Sequence, residues 1–131
     1  MAEAPWLDKA DDYLLAAQLL LGEQHYESVV SRAYYAARYA AIHLFLARKV
    51  GWELKWQHDT VATKLVEQAR SLLWLRAVTM NGQSSFASSW SALYKSRSAA
   101  DYQLGKITAR DAQRCMAFAE NFVQQVREYM P

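Results

Sequence analysis

A chain of 131 residues that is 53% hydrophobic and only 21% charged is long enough to bury one core and too apolar to stay disordered. Its net charge of +2 is too small for nucleic-acid binding to be argued from the total, so any such case rests on local arrangement. No apolar run approaches the roughly 18 residues of a membrane span, and the one cysteine, Cys115, can form no internal disulfide. With no charged-then-apolar leader at its start, the chain is expected in the reducing cytoplasm as a single domain over residues 1–131, and its apolar surplus favours a homo-oligomer.

Five helices are expected, separated by four glycines that each fall where an amphipathic pattern stops: Gly22, Gly51, Gly82 and Gly105. The first runs from Trp6 to Leu21, with Pro5 suited to its first turn and Ala10, Tyr13, Leu14 and Ala17 on its buried side. The second runs from Tyr26 to Val50 and packs through Val30, Ala33, Tyr34, Ala37, Ala41, Leu44 and Phe45. A loop holding Trp52, Leu54, Trp56 and His58 leads to a third helix from Asp59 to Val78, with Val61, Leu65, Val66, Ala69, Leu72 and Leu73 inward, which the Asn81-Gly82 turn pair ends. The fourth, Ser85 to Ala100, is rich in serine and weak by propensity, so packing of Phe86, Trp90, Leu93 and Arg97 must hold it. Thr108-Ala-Arg-Asp111 reads as a capping box that opens the last helix, which runs to Tyr129 with Ala112, Cys115, Met116, Ala119, Phe122, Val123 and Val126 along one stripe. No β-type alternation is present, and the fold class is an all-α bundle.

Chemistry is concentrated in two places. On the second helix, Ser28, Arg32, Tyr35, Tyr39 and His43 fall within a sector of roughly 80°, apart from the packing face. Such a stripe suits either an amphipathic seam with tyrosines bonded across a dimer interface, or a groove where a guanidinium grips phosphate and phenol rings stack on bases. On the fourth helix, Arg97 shares a side with buried apolar residues and Asp101 follows it by one turn, so the carboxylate can hold the guanidinium. That pair reads as a structural ion pair or as a phosphate grip with donors to spare. The three histidines, His25, His43 and His58, lie in different segments, no metal-ligand spacing or glycine-rich phosphate loop is present, and neither metal nor cofactor is expected.

Two motifs carry a family resemblance across the whole chain. Ser31-Arg-Ala-Tyr-Tyr-Ala36 resembles the signature on the second helix of small stand-alone HEPN proteins, and Arg97-x-x-Ala-Asp-Tyr102 resembles the segment near the end of their fourth. The resemblance implies an up-and-down bundle of about five helices, HEPN-like, that forms a homodimer and is often encoded beside a minimal nucleotidyltransferase in a toxin–antitoxin-like pair. It also implies that active relatives cut RNA without metal through an Arg-x4-6-His motif from each protomer, with histidine moving protons and arginine on the phosphate. Here the region starts with Arg97 but offers Tyr102 where histidine is expected, and a phenol of pKa near 10 is a poor base at neutral pH. The literal match Arg38-x4-His43 lies inside the second helix with its two residues pointing roughly 140° apart. Tyr39 stands where many relatives place a histidine.

The leading expectation is therefore a homodimer whose cleft, formed by Arg32, Tyr35, Tyr39, His43, Arg97, Asp101 and Tyr102, binds a nucleotide, RNA or a cognate nucleotidyltransferase, without efficient catalysis. Tyr102 is the residue such a partner would modify. The rivals are an endoribonuclease using Arg97 with Tyr102 or His43 as catalytic residues, and a structural dimer or scaffold that meets its partner through the tryptophan loop.

Overall fold

The computed structural model describes residues 4–53, 55–102 and 106–131, and these hold six helices and no strand. They are α1 (Pro5–Gly22), α2 (Tyr26–Ala47), α3 (His58–Ser71), α4 (Leu73–Arg76), α5 (Phe86–Tyr102) and α6 (Ala109–Tyr129). Alanines 33, 36, 37, 40 and 41 are all fully buried, and their small side chains let neighbours approach α2 from several directions at once. α2 consequently packs against α1, α5 and α6, while α3 packs on α4 and α5. Phe86 and Trp90 of α5 and Phe118 and Phe122 of α6 form one aromatic cluster with ring centroids 5.8–6.4 Å apart. Each such buried ring contributes roughly 1.5–3 kcal/mol by leaving water, enough to hold the serine-rich α5 against its weak propensity.

The expected glycine stops are corrected at the first two helices. Gly22 lies inside α1, and the left-handed residue that reverses the chain is Gln24, at φ 63°. At the end of α2 that role belongs to Lys49, at φ 61°, so the helix stops at Ala47 and not at Val50. Both ends close with the paired bonds of a Schellman turn: His25 N–H to Leu20 O at 3.0 Å and Gln24 N–H to Leu21 O at 3.1 Å, then Val50 N–H to Phe45 O at 2.8 Å and Lys49 N–H to Leu46 O at 3.2 Å. Gly51 and Gly82 do take positive φ, 93° and 91°, in the loops. Gly105 and Leu54 lie outside the described residues.

The expected third helix divides. Leu72 is extended, at φ −111° and ψ 100°, which ends α3 and starts the single turn of α4. Arg76 reaches back across the break, donating from Nη2 to Arg70 O at 2.7 Å and from Nε to Ala69 O at 3.3 Å, and so satisfies carbonyls that the interrupted helix leaves open. The break turns Leu73 outward to 73% exposure and sends Leu75 into the core in its place. α6 begins as expected: Asp111 N–H donates to Thr108 Oγ1 and Thr108 N–H to Asp111 Oδ2, both at 3.1 Å. Among the described residues no helix is long and apolar enough to cross a membrane.

Candidate functional site

The two residues after Ala33 sit at the junction of α2 with α5. Tyr34 is buried and Tyr35 half-buried, and Arg38 follows Tyr34 by one turn on the same side of the helix. Opposite them α5 presents Tyr94 and Arg97, again separated by about one turn. The start of α3 closes the third side with His58 and Asp59, next to Gln57, whose side chain makes no capping bond. Together these eight residues line a pocket of about 330 Å³.

Arg97 is the most tightly held group in the pocket. Its Nη2 donates to the Tyr35 hydroxyl at 2.9 Å, its guanidinium carbon lies 5.5 Å from the centres of both the Tyr34 and Tyr35 rings, and its Nε stands 3.0 Å from Asp101 Oδ2. Nε makes no hydrogen bond, so the Asp101 contact is a charge attraction off the N–H line. Burial disfavours the charge on Arg97, but Tyr35 and Asp101 outweigh it and hold the group above its ordinary value. Arg38 donates from Nη2 to Trp56 O at 2.7 Å and lies 5.4 Å from the Trp52 ring centre. The tryptophan loop thus folds back on its own chain: Trp52 and Trp56 are half-buried, edge-to-face at 5.8 Å, and Trp56 Nε1 donates to Glu53 at 2.9 Å. No carboxylate pairs with Arg38 among the described residues, and Asp59 forms no ion pair with either arginine.

His58 lies flat on Tyr94, rings 3.4 Å apart and 9° from parallel, with Nδ1 at 3.3 Å from the Tyr34 hydroxyl. Burial lowers its pKa, and Arg38 and Arg97 lower it further against the opposing pull of Asp59, so the imidazole is neutral at pH 7. Burial also raises the Tyr34 pKa, which keeps that phenol protonated. The pocket therefore offers two fixed guanidiniums, a neutral imidazole and phenol hydroxyls, a set suited to gripping a phosphate.

The expected stripe on α2 is split by its neighbours. Tyr35 joins Arg97, as does Asp101. Arg32 is exposed and lies over Tyr13 of α1, 6.0 Å from the ring centre. Tyr39 stacks on Trp6 at 5.9 Å, meets Tyr13 edge-on at 5.2 Å and carries Lys9 over its ring; burial and Tyr13 push its pKa up to about 12. His43 bonds Met130 O at 2.6 Å, at the far end of α6. Tyr102 is 81% exposed, and the partners of Arg97 among the described residues are Tyr34, Tyr35 and Asp101. Arg32, Tyr39, His43 and Tyr102 are thus not brought to the pocket that Tyr35 and Arg97 line, and Asp101 reaches it only through Arg97. The expected site omits four lining residues: Tyr34, read as packing, Arg38, weighed only against His43, His58, weighed as one of three scattered histidines, and Tyr94, which opens the α5 cluster. A one-turn spacing signals Arg38 after Tyr34, and likewise Arg97 after Tyr94, but nothing local places His58 beside them.

A protein-family model described as the HEPN domain matches residues 4–129. The chain belongs to the HEPN domain family. No curated protein matches its sequence. Both motifs that carry the HEPN resemblance meet at the pocket, Tyr34 and Tyr35 from the first and Arg97 with Asp101 from the second. HEPN domains commonly dimerise, and HEPN membership supports a nucleotide- or RNA-related function in general.

Proposed function

We propose that this HEPN protein binds a nucleotide or RNA through phosphate at the Arg38/Arg97 pocket, as a homodimer beside a cognate minimal nucleotidyltransferase in a toxin–antitoxin-like pair, without efficient catalysis of its own. The observation that carries the reading is the convergence of two arginines, from α2 and α5, with one acidic residue among the lining groups and no ion pair between it and either guanidinium. The aromatic rings beside them supply stacking surfaces of the kind single-stranded nucleic acid uses. Titration of the protein with a nucleoside monophosphate and a short RNA tests the reading: Arg38→Gln and Arg97→Gln each weaken binding at least tenfold, whereas Arg32→Gln, altering an exposed side chain over Tyr13, changes it less than twofold. Equal loss from all three, or none from any, contradicts it. The partner half of the proposal rests on the exposure of Tyr102, which leaves its hydroxyl open to a modifying enzyme. Incubation with the partner and ATP adds a nucleotide to wild type and not to Tyr102→Phe, read by mass spectrometry.

A second reading, a metal-independent endoribonuclease, is favoured by the position of His58, a neutral proton acceptor in the same pocket as Arg97. RNA shortened in chelator by wild type but not by His58→Gln or Arg97→Ala supports it, and RNA left intact by the wild type removes it.

A further inference from the structure

We propose that the pocket selects a terminal phosphate, the doubly charged monoester of a mononucleotide or of an RNA 5′ end, over the singly charged diester inside a strand. The proposal rests on the phosphate-binding reading above and names its substrate class. At about 330 Å³ the pocket lies at the small end of ligand cavities, room for about one nucleotide and not for a groove that tracks a backbone. Arg38 and Arg97 reach the pocket from two different helices, so a phosphate held by both meets donors from two separate elements. An internal diester has two of its oxygens bonded to carbon and leaves two to share between such donors; a monoester leaves three.

The imidazole adds a second criterion. His58 is held by Tyr94 against its face and Tyr34 at Nδ1, and among the described residues Nε2 has no protein partner. The charged and titratable groups around it are Tyr34, Tyr35 and Arg38 from α2, Asp59 beside it on α3, and Tyr94 and Arg97 from α5. By itself this surrounding favours the neutral ring. An arriving anion opposes the two arginines and stabilises imidazolium, and a dianion does so about twice as strongly as a monoanion at equal distance. The proton comes from solvent or from the share of monoester still singly protonated at pH 7, and the imidazolium N–H then donates to a phosphate oxygen. His58 thus takes up a fraction of a proton when the monoester binds at pH 7 and much less when a diester binds, set against the fraction that the monoester itself releases in becoming the dianion.

Isothermal titration at pH 7 in two buffers of different ionisation heat reads both quantities. The ligands are AMP, inorganic phosphate, and one short RNA carrying either a 5′-phosphate or a 5′-hydroxyl. Wherever RNA enters the site the 5′-phosphorylated strand binds at least tenfold tighter than its hydroxyl twin, and AMP binding takes up more protons with wild type than with His58→Gln. AMP binding with RNA excluded assigns the site to free mononucleotides; both binding assigns it to any terminal phosphate. Should His58→Gln fail to fold, His58→Asn serves, with circular dichroism as the check. Measurable and equal affinity for the two RNAs, or a proton linkage of AMP binding that His58→Gln leaves unchanged, overturns the proposal while leaving phosphate binding intact. Binding of all ligands that ignores Arg38→Gln and Arg97→Gln overturns the broader reading instead.

Discussion

Removing the Ser89 hydroxyl is expected to unseat the start of the helix that carries Arg97. Ser89 is fully buried; its Oγ accepts from Met80 N–H at 2.8 Å and donates to Ser85 O at 2.6 Å. In Ser89→Ala the Met80 amide is left buried without a partner, which costs about 1–3 kcal/mol. The second lost bond costs less, because Ser85 O still accepts from Ser89 N–H at 3.0 Å and from Ser88 Oγ at 3.1 Å. Alanine returns up to about 0.7 kcal/mol through its better helix propensity. The net loss is about 1–2 kcal/mol, or roughly 4–8 °C in Tm for a domain of this size. Urea denaturation followed by circular dichroism measures it, with Ser84→Ala as the exposed comparison expected to lose under about 0.5 kcal/mol. A Ser89→Ala protein within about 0.3 kcal/mol of wild type, inside the range in which surface changes fall, would refute the reasoning.

Thr108→Ala removes one half of the capping box of α6 and is expected to cost about 1 kcal/mol in the same denaturation experiment, with no change in nucleotide affinity. His58 makes stability depend on pH with a definite sign. Its pKa is lower folded than unfolded, where it is about 6.5, so as pH falls below that value the unfolded chain takes the proton first and the folded state loses stability until the folded pKa is passed. Wild type therefore loses more stability between pH 7 and pH 5 than His58→Gln does, and superimposable profiles contradict the assignment of a neutral, half-buried imidazole.

Local signals made the helices legible and distant ones hid the pocket. The apolar stripe of α6 and its Thr108–Asp111 box are near-neighbour patterns, and the structure keeps both. The ends of α1 and α2 were misplaced because Gln24 and Lys49 accept a left-handed backbone that glycine would take more readily, with the Schellman bonds offsetting the strain. The division at Leu72 depends on Arg76 reaching two carbonyls of the preceding helix, which no periodicity reveals. The Arg97–Asp101 pair was readable because it spans one turn. The stripe on α2 was read as one face, yet a helix touched by α1, α5 and α6 deals adjacent positions to different neighbours: Tyr39 to Trp6, His43 to Met130 and Tyr35 to Arg97. His58 reaches Tyr34 across 24 residues and Tyr94 across the bundle, a meeting that only the packed fold produces.

The central claim is that Arg38 and Arg97 together hold phosphate. Nitrogen-15 NMR of the arginine Nε–H groups during titration with AMP tests it at the atoms concerned. The Arg38 and Arg97 signals are expected to shift together and saturate at one affinity while Arg32 and Arg110 stay in place; shifts confined to the exposed arginines, or none at all, would contradict it.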